Sequence, residues 1–292
     1  MYEEKKMRLT AALTAGIITD FINNSSENTL KNSTNDKAWD NPLVGFSRGD
    51  DPLYEAYKEL VGPFHWTPLE LFTETFPGLN SEAGDLTVIA WILPQTEKSR
   101  AELRKESVYV PESCARARIF GEEVNVKLRK HFIETLRLHG IEAVAPILAK
   151  GWSMKQSDKY VFASTWSERH AAYASGLGTF GLCDGLITPV GKSVRCGSVV
   201  ARMQIPPTPR TYTDHRAYCL FFSRGTCKKC IERCPAEALS ESGHDKLKCK
   251  KYVLETMKEY VTSHYGFEGY GCGFCQVGVP CESGIPAVSV KP

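Results

Sequence analysis

The clearest signal in the pattern of apolar and polar positions is the run Leu86-Thr87-Val88-Ile89-Ala90-Trp91-Ile92-Leu93-Pro94, almost wholly apolar and closed by proline. It predicts a central strand buried on both faces. From Arg118 to His139 the apolar residues Phe120, Val124, Leu128, Phe132 and Leu136 recur every fourth position, and Gly140 follows. This predicts an amphipathic helix with a glycine stop. Ile141 to Pro146 then reads as a second strand, so strand, helix and strand alternate and an α/β layer is expected.

Weaker signals fill in the rest. Leu9, Leu13, Ile17 and Phe21 place one apolar face on a first helix, and the polar stretch from Asn23 to Asp51 reads as a long connection. Helical turns are expected around residues 54–57 and 68–72, and again over residues 167–174. Leu186 to Pro189 and Val194 to Met203, joined across Gly191-Lys192, read as a hairpin. Pro206-Pro207-Thr208-Pro209 is a stiff extended linker, after which Asp245 caps a helix through Leu247, Leu254, Met257 and Val261. Three segments result: residues 1–84 packed on the core, an α/β unit over 85–205, and a third unit over 206–292.

Composition narrows the function classes. The 292 residues are 42% hydrophobic with a formal net charge of +2. That is ordinary for a globular protein and gives no bulk attraction to nucleic acid or an anionic membrane. No apolar run has the length of a membrane span. Lys5-Lys6-Met7-Arg8 precedes a mildly apolar stretch, but Thr10, Thr14, Gly16 and Asp20 suit an amphipathic helix better than an export signal. A cytoplasmic location is expected.

Cysteine usage changes the picture most. Eight of eleven cysteines lie between Cys219 and Cys281. The first run, Cys219, Cys227, Cys230 and Cys234-Pro235, is spaced C-x7-C-x2-C-x3-C-P; the second, Cys249, Cys272, Cys275 and Cys281, is spaced C-x22-C-x2-C-x5-C. The C-x2-C-x3-C-P core matches the tail of the bacterial ferredoxin pattern, in which the Cys-Pro thiolate ligates the other cluster of a pair. Two [4Fe–4S] clusters are therefore expected. The crossed rule assigns Cys219, Cys227, Cys230 and Cys281 to one, and Cys234, Cys249, Cys272 and Cys275 to the other. A zinc tetrathiolate is the alternative reading of the C-x2-C pairs. Disulfide frameworks belong to small secreted domains and do not suit this chain.

Gly176-Leu177-Gly178-Thr179-Phe180-Gly181 matches G-x-G-x-x-G, but it follows a helix and leads toward strands, the reverse of the dinucleotide-binding context. Taken with Glu168-Arg169-His170 before it, Leu186-Ile187-Thr188-Pro189 after it, the cysteine runs and Tyr270-Gly271-Cys272-Gly273-Phe274-Cys275-Gln276, it resembles the cobalamin-dependent epoxyqueuosine reductases and, more distantly, the reductive dehalogenases. The likeness spans about residues 85 to 285. It implies a nitroreductase-like α/β domain that binds cobalamin, followed by a ferredoxin-like domain with two [4Fe–4S] clusters that feed electrons to cobalt.

By that resemblance Gly176, Gly178 and Gly181 become candidate corrinoid contacts, with Glu168, Arg169, His170 and Cys196 at the borders of the same site. Solvated helix charges and a buried structural thiol are the alternatives for the latter four. Phe162 stands where the epoxyqueuosine reductases carry a catalytic aspartate, with Asp158 and Ser164 out of register, so no catalytic residue is assigned. The helical-repeat extension of some members is absent before Pro292, which counts against a tRNA substrate.

The function expected is an iron–sulfur reductase passing electrons through two clusters to cobalamin, for reduction of a small molecule or modified nucleoside. The expected partner is an electron donor such as ferredoxin or flavodoxin, and a homodimer is compatible with the sequence. The alternative is an electron carrier or corrinoid reductant with no substrate of its own.

Overall fold

The computed structural model describes residues 9–287; the Lys5 to Arg8 run lies outside them. The centre is an antiparallel sheet of four strands in the order β1 (Leu43–Arg48), β2 (Leu86–Pro94), β8 (Val194–Arg202) and β3 (Ala143–Val144). The first helix, α1 (Ala11–Asn24), is capped by Thr10, whose hydroxyl accepts from Leu13 N. Its buried face is Thr14, Ile18 and Ile22. This is one position round from the face expected, and Leu13 is exposed while Leu9 is buried ahead of the helix.

The polar connection also holds more than was expected. Strand β1 (Leu43–Arg48) lies within it and pairs antiparallel with β2 (Leu86–Pro94) from Leu43 opposite Ile92 to Arg48 opposite Thr87. Its Gly and Ser positions hide it from a hydrophobicity count, because cross-strand pairing rather than propensity holds it. Between the two strands come α2 (Pro52–Leu60) and α3 (Pro68–Thr75), the second opened by a Thr67–Glu70 capping box.

Every residue of β2 is buried, as a central strand requires. Successive side chains alternate between two cores. Ile89, Trp91 and Leu93 face α1 and the long helix α5, with Val124, Leu128, Phe132 and Leu136 behind them; Val88, Ala90 and Ile92 face Tyr54, Phe72 and Trp166. After β2, α4 (Glu97–Lys105) is an unexpected helix, and α5 (Glu112–Leu138) extends the expected one by two turns at its start. It leads to β3, only Ala143–Val144, which pairs with β8 beside β2. Since β8 (Val194–Arg202) is antiparallel to both neighbours, β2 and β3 run the same way, and the expected strand–helix–strand crossover is present with β8 inserted.

The expected hairpin is not. A small ribbon, β4 (Met154–Ser157) with β5 (Val161–Ser164), precedes helix α6 (Glu168–Ala174), and then β6 (Thr179–Phe180) pairs with β7 (Leu186–Ile187). Strand β8 instead reaches across to β2 over nine pairs. Both ends of the supposed hairpin are apolar enough for a strand, but burial between two cores selects the longer partner.

The last third is built from short pieces: α7 (Leu220–Arg224), α8 (Lys229–Glu232), a ribbon of β9 (Leu239–Ser240) and β10 (Gly243–His244), then α9 (Lys246–Tyr252). A π turn over Val253–Met257 joins α9 to α10 (Lys258–Tyr265). This unit packs on the sheet unit through Leu103, Val110 and Ala115 against Met257, Val261, Phe274 and Val277.

Candidate functional site

The eleven cysteines are all unpaired thiols. Eight of them line two cavities of ≈ 330 Å³ each. Cys219, Cys227, Cys230 and Cys281 line the first; Cys234, Cys249, Cys272 and Cys275 line the second. These are the two sets that the crossed rule assembles from the sequence.

The local folding explains how eight thiols from separate segments converge. Cys219 is the residue before α7, whose end turns at Gly225 with φ 66. Cys230 lies within α8, and the chain leaves that helix at Arg233, so Cys234, four positions on, faces the other cavity. Arg233 fixes the divergence: its guanidinium donates to Val277 O at 3.2 Å, Glu106 O at 2.8 Å and Leu103 O at 3.0 Å, and lies over the Phe274 ring. Cys249 rides on α9, capped by Asp245, whose carboxylate accepts from Leu247 N and Lys248 N at 3.0 Å. The π turn beside it places Tyr252 and Val253 in the wall of the second cavity.

Cys281 is held by the other unit. The buried carboxylate of Glu282 pairs with Arg104 and stands 3.8 Å from Arg100 Nε, while accepting from Gly278 N at 2.7 Å. Glu282 O accepts from Lys192 N at 3.1 Å. Gly191, with φ +91, is required here, since a Cβ would lie 2.0 Å from Glu282 O.

The walls are apolar: Leu182, Ile187, Phe221 and Val279 around the first cavity, Leu239, Val253 and Phe274 around the second. Backbone N–H groups also approach the sulfurs, as Ala238 N does to Cys234 Sγ at 3.4 Å. Such donors favour thiolates and tune cluster potentials. Among the described residues no three His, Cys, Asp or Glu side chains converge closely enough to hold one metal ion. Each quartet surrounds a volume.

Two residues at this site were not singled out by the spacing argument. Cys183 is buried between the quartets, its Sγ against Cys230 and 3.8 Å from Cys275 O, and Lys192 enters the wall of the first cavity. Cys183 stands outside the two cysteine runs and Gly191-Lys192 reads as a turn, so neither role is legible in the sequence. His244 lines the second cavity and meets Asp184 at 2.9 Å, a partner that pushes its imidazole up to about 9.

The residues named for a corrinoid have partners within the chain. Glu168 pairs with the buried Arg129 at 2.9 Å and accepts from Ser198 Oγ. Arg169 is exposed and donates to Asp184 O. His170 packs edge-on to Tyr57 and meets Ser167 Oγ at 2.8 Å. A Cβ on Gly178 would stand 2.2 Å from Ile187 O, one on Gly176 3.1 Å from Thr208 and Pro209, and one on Gly181 3.4 Å from Ile187. Close packing of the chain on itself accounts for the first two glycines. Cys196 is a buried thiol on β8, pushed up to about 12 by burial and thus kept protonated. None of these residues lines either of the two cysteine cavities. Phe162 lies under Lys246 and Lys250 at 5.6 and 5.3 Å.

Comparison with known proteins extends this picture. No protein-family model matches the chain. It is 28% identical over 172 residues to an epoxyqueuosine reductase of Bacillus anthracis, a match covering 57% of this chain and 40% of that protein. An epoxyqueuosine reductase of Staphylococcus aureus is 30% identical over 125 residues, 41% of this chain and 30% of the relative. The chain thus spans well under half the length of the curated relatives it matches. Among solved structures, a catabolic reductive dehalogenase superposes with a TM-score of 0.51 at 14% identity, over 97% of this chain and 38% of the other. The mixed α/β fold is shared with that protein, and the sequence similarity is to epoxyqueuosine reductases.

Proposed function

We propose that this protein is an iron–sulfur oxidoreductase whose two cavities each hold a [4Fe–4S] cluster, one on Cys219, Cys227, Cys230 and Cys281 and the other on Cys234, Cys249, Cys272 and Cys275. The observation that carries the reading is the lining of two separate cavities of ≈ 330 Å³ by complete thiol quartets in apolar walls. A mononuclear zinc site needs four thiols drawn to about 2.3 Å from one point. Donors spread around a volume suit a polynuclear group instead.

The groups would supply one-electron transfer. The chain's part is to hold them apart, exclude water and control access. Exposed Lys248, Lys250 and Lys251 flank Cys249 on α9, and Lys228 and Lys229 flank Cys227 and Cys230. This basic surface suits an acidic electron donor such as ferredoxin or flavodoxin. The similarity to epoxyqueuosine reductases supports a reductase, with a small molecule or modified nucleoside as substrate.

Cobalamin is the acceptor that the family likeness implies, but the residues named for it are committed to contacts within the chain. That commitment, with Phe162 in place of an acid, favours a second reading in which the protein passes electrons to a partner and has no substrate of its own.

Anaerobic reconstitution with iron and sulfide tests the first reading: about eight irons per chain and a reducible cluster spectrum are expected. Zinc filling the thiols in place of iron overturns it. Gel filtration with added cobalamin then separates reductase from carrier, since a base-off corrinoid that co-elutes marks the reductase.

A further inference from the structure

Lys192 has no role in the readings above, yet its position is unusual. It comes from the turn between β7 and β8, is only 3% exposed, and lines the first cavity with Cys219, Cys227, Cys230 and Cys281. Its stem is wedged against Gly185, where a Cβ would stand 3.1 and 3.0 Å from its Cγ and Cδ. The acids close to it along the chain contacts are already taken, Glu282 by Arg104 and Arg100, and Asp184 by His244. The neighbours of Lys192 there are the thiols of Cys183, Cys281, Cys275 and Cys230.

Burying an ammonium without an anion is costly, and proteins retain such a group only where a counter-charge offsets it. Among the described residues no carboxylate forms an ion pair with Lys192; the acidic side chains around it are thiols. Four thiolates around a cluster bring net negative charge, and every added electron increases it.

We propose that Lys192 is the counter-charge of the first cluster and raises that cluster's reduction potential. This rests on the two-cluster reading. A fixed cation beside a cluster favours its reduced, more negative form, and the effect falls with distance, so the cavity that Lys192 lines responds more than its neighbour. Leu182, Ile187 and Lys192, which precede the cysteine runs in the chain, form part of the wall of the first cavity, whereas the second is lined by residues 234–275 alone. Lys192 is a positioning residue for charge, supplied by one unit to the cofactor of the other.

The test uses the full chain reconstituted anaerobically as wild type, Lys192→Met, Lys192→Gln and Lys192→Arg. Iron is counted and each cluster titrated by electron paramagnetic resonance, with the signals assigned by ligand variants Cys219→Ser and Cys249→Ser. In the neutral variants the reduced-to-oxidised ratio of the first cluster at a fixed poise is expected to fall at least tenfold, about 59 mV for one electron. The second should move less, and Lys192→Arg should stay close to wild type. If both neutral variants fail to load iron while Lys192→Arg loads it, assembly itself requires the charge, which also supports the proposal. Neutral variants that load fully with unchanged potentials overturn it, as does equal loss of iron in all three. A wild type without clusters overturns the two-cluster reading instead, and the iron count separates the two failures.

Discussion

His65 and His170 show how a buried imidazole makes the fold sensitive to acid. His65 is 1% exposed, its Nδ1 meeting Trp66 O at 3.0 Å and its Nε2 accepting from Ser167 N at 3.3 Å. Burial pushes it from the ordinary 6.5 down to about 4, and burial together with the nearby His65 holds His170 well below its ordinary value. The unfolded chain thus takes up these protons first, so the stability they protect is complete above about pH 6.5 and is lost progressively as the pH falls toward 4. His65 alone should cost about 2 kcal/mol on going from pH 7 to pH 5. Urea unfolding at the two pH values should show the loss, and His65→Gln should narrow it; a difference that the substitution leaves unchanged refutes the assignment. Backbone geometry is equally decisive at Gly191. With φ +91 and Glu282 O only 2.0 Å from where a Cβ would stand, Gly191→Ala must move the chain that follows Cys281. It should cost at least about 2 kcal/mol in a thermal melt and release iron from the reconstituted protein.

At the scale of elements, legibility in the sequence followed the source of each element's stability. Strand β2 and helix α5 were readable because burial writes their period directly into the chain: nine consecutive buried positions in one, a fourfold apolar spacing in the other. Strand β1 was not, since a run containing Gly45 and Ser47 becomes a strand by pairing with β2. The supposed hairpin failed for the same reason in reverse: β7 and β8 have strand composition, but their partners, β6 and β2, lie elsewhere in the chain. Helix α9 was readable from its cap, and the cap gives a test. Asp245 accepts from two backbone N–H groups at 3.0 Å, so Asp245→Ala should cost about 1 kcal/mol, concentrated in α9. Because Cys249 rides on that helix, a chelator should strip iron faster from Asp245→Ala than from the parent. Equal stripping rates would mean that the helix start plays no part in holding Cys249.

Across the whole molecule, the two units share the site rather than meet at it. Leu182, Cys183, Ile187 and Lys192 precede the cysteine runs in the chain, yet they pack among Cys219, Cys230 and Cys281, while Arg100 and Arg104 of α4 hold Glu282. The cysteine spacing made the thiols readable, because short turns that aim sulfurs at one centre leave a local record; the lysine and the thiol inserted from the earlier unit leave none. Convergence across long chain separations also makes the grouping of the ligands a property of the fold that counting iron can test. Cys230 and Cys234 are four residues apart but line different cavities, whereas Cys219 and Cys281, at opposite ends of the unit, line the same one. Pairs of serine substitutions therefore have opposite expected outcomes. Cys219→Ser with Cys281→Ser should leave about four irons per chain, since both thiols line one cavity. Cys230→Ser with Cys234→Ser, though the closer pair in sequence, should leave almost none. The reverse result would show that sequence neighbours share a cluster and that the cavities do not define the ligand sets.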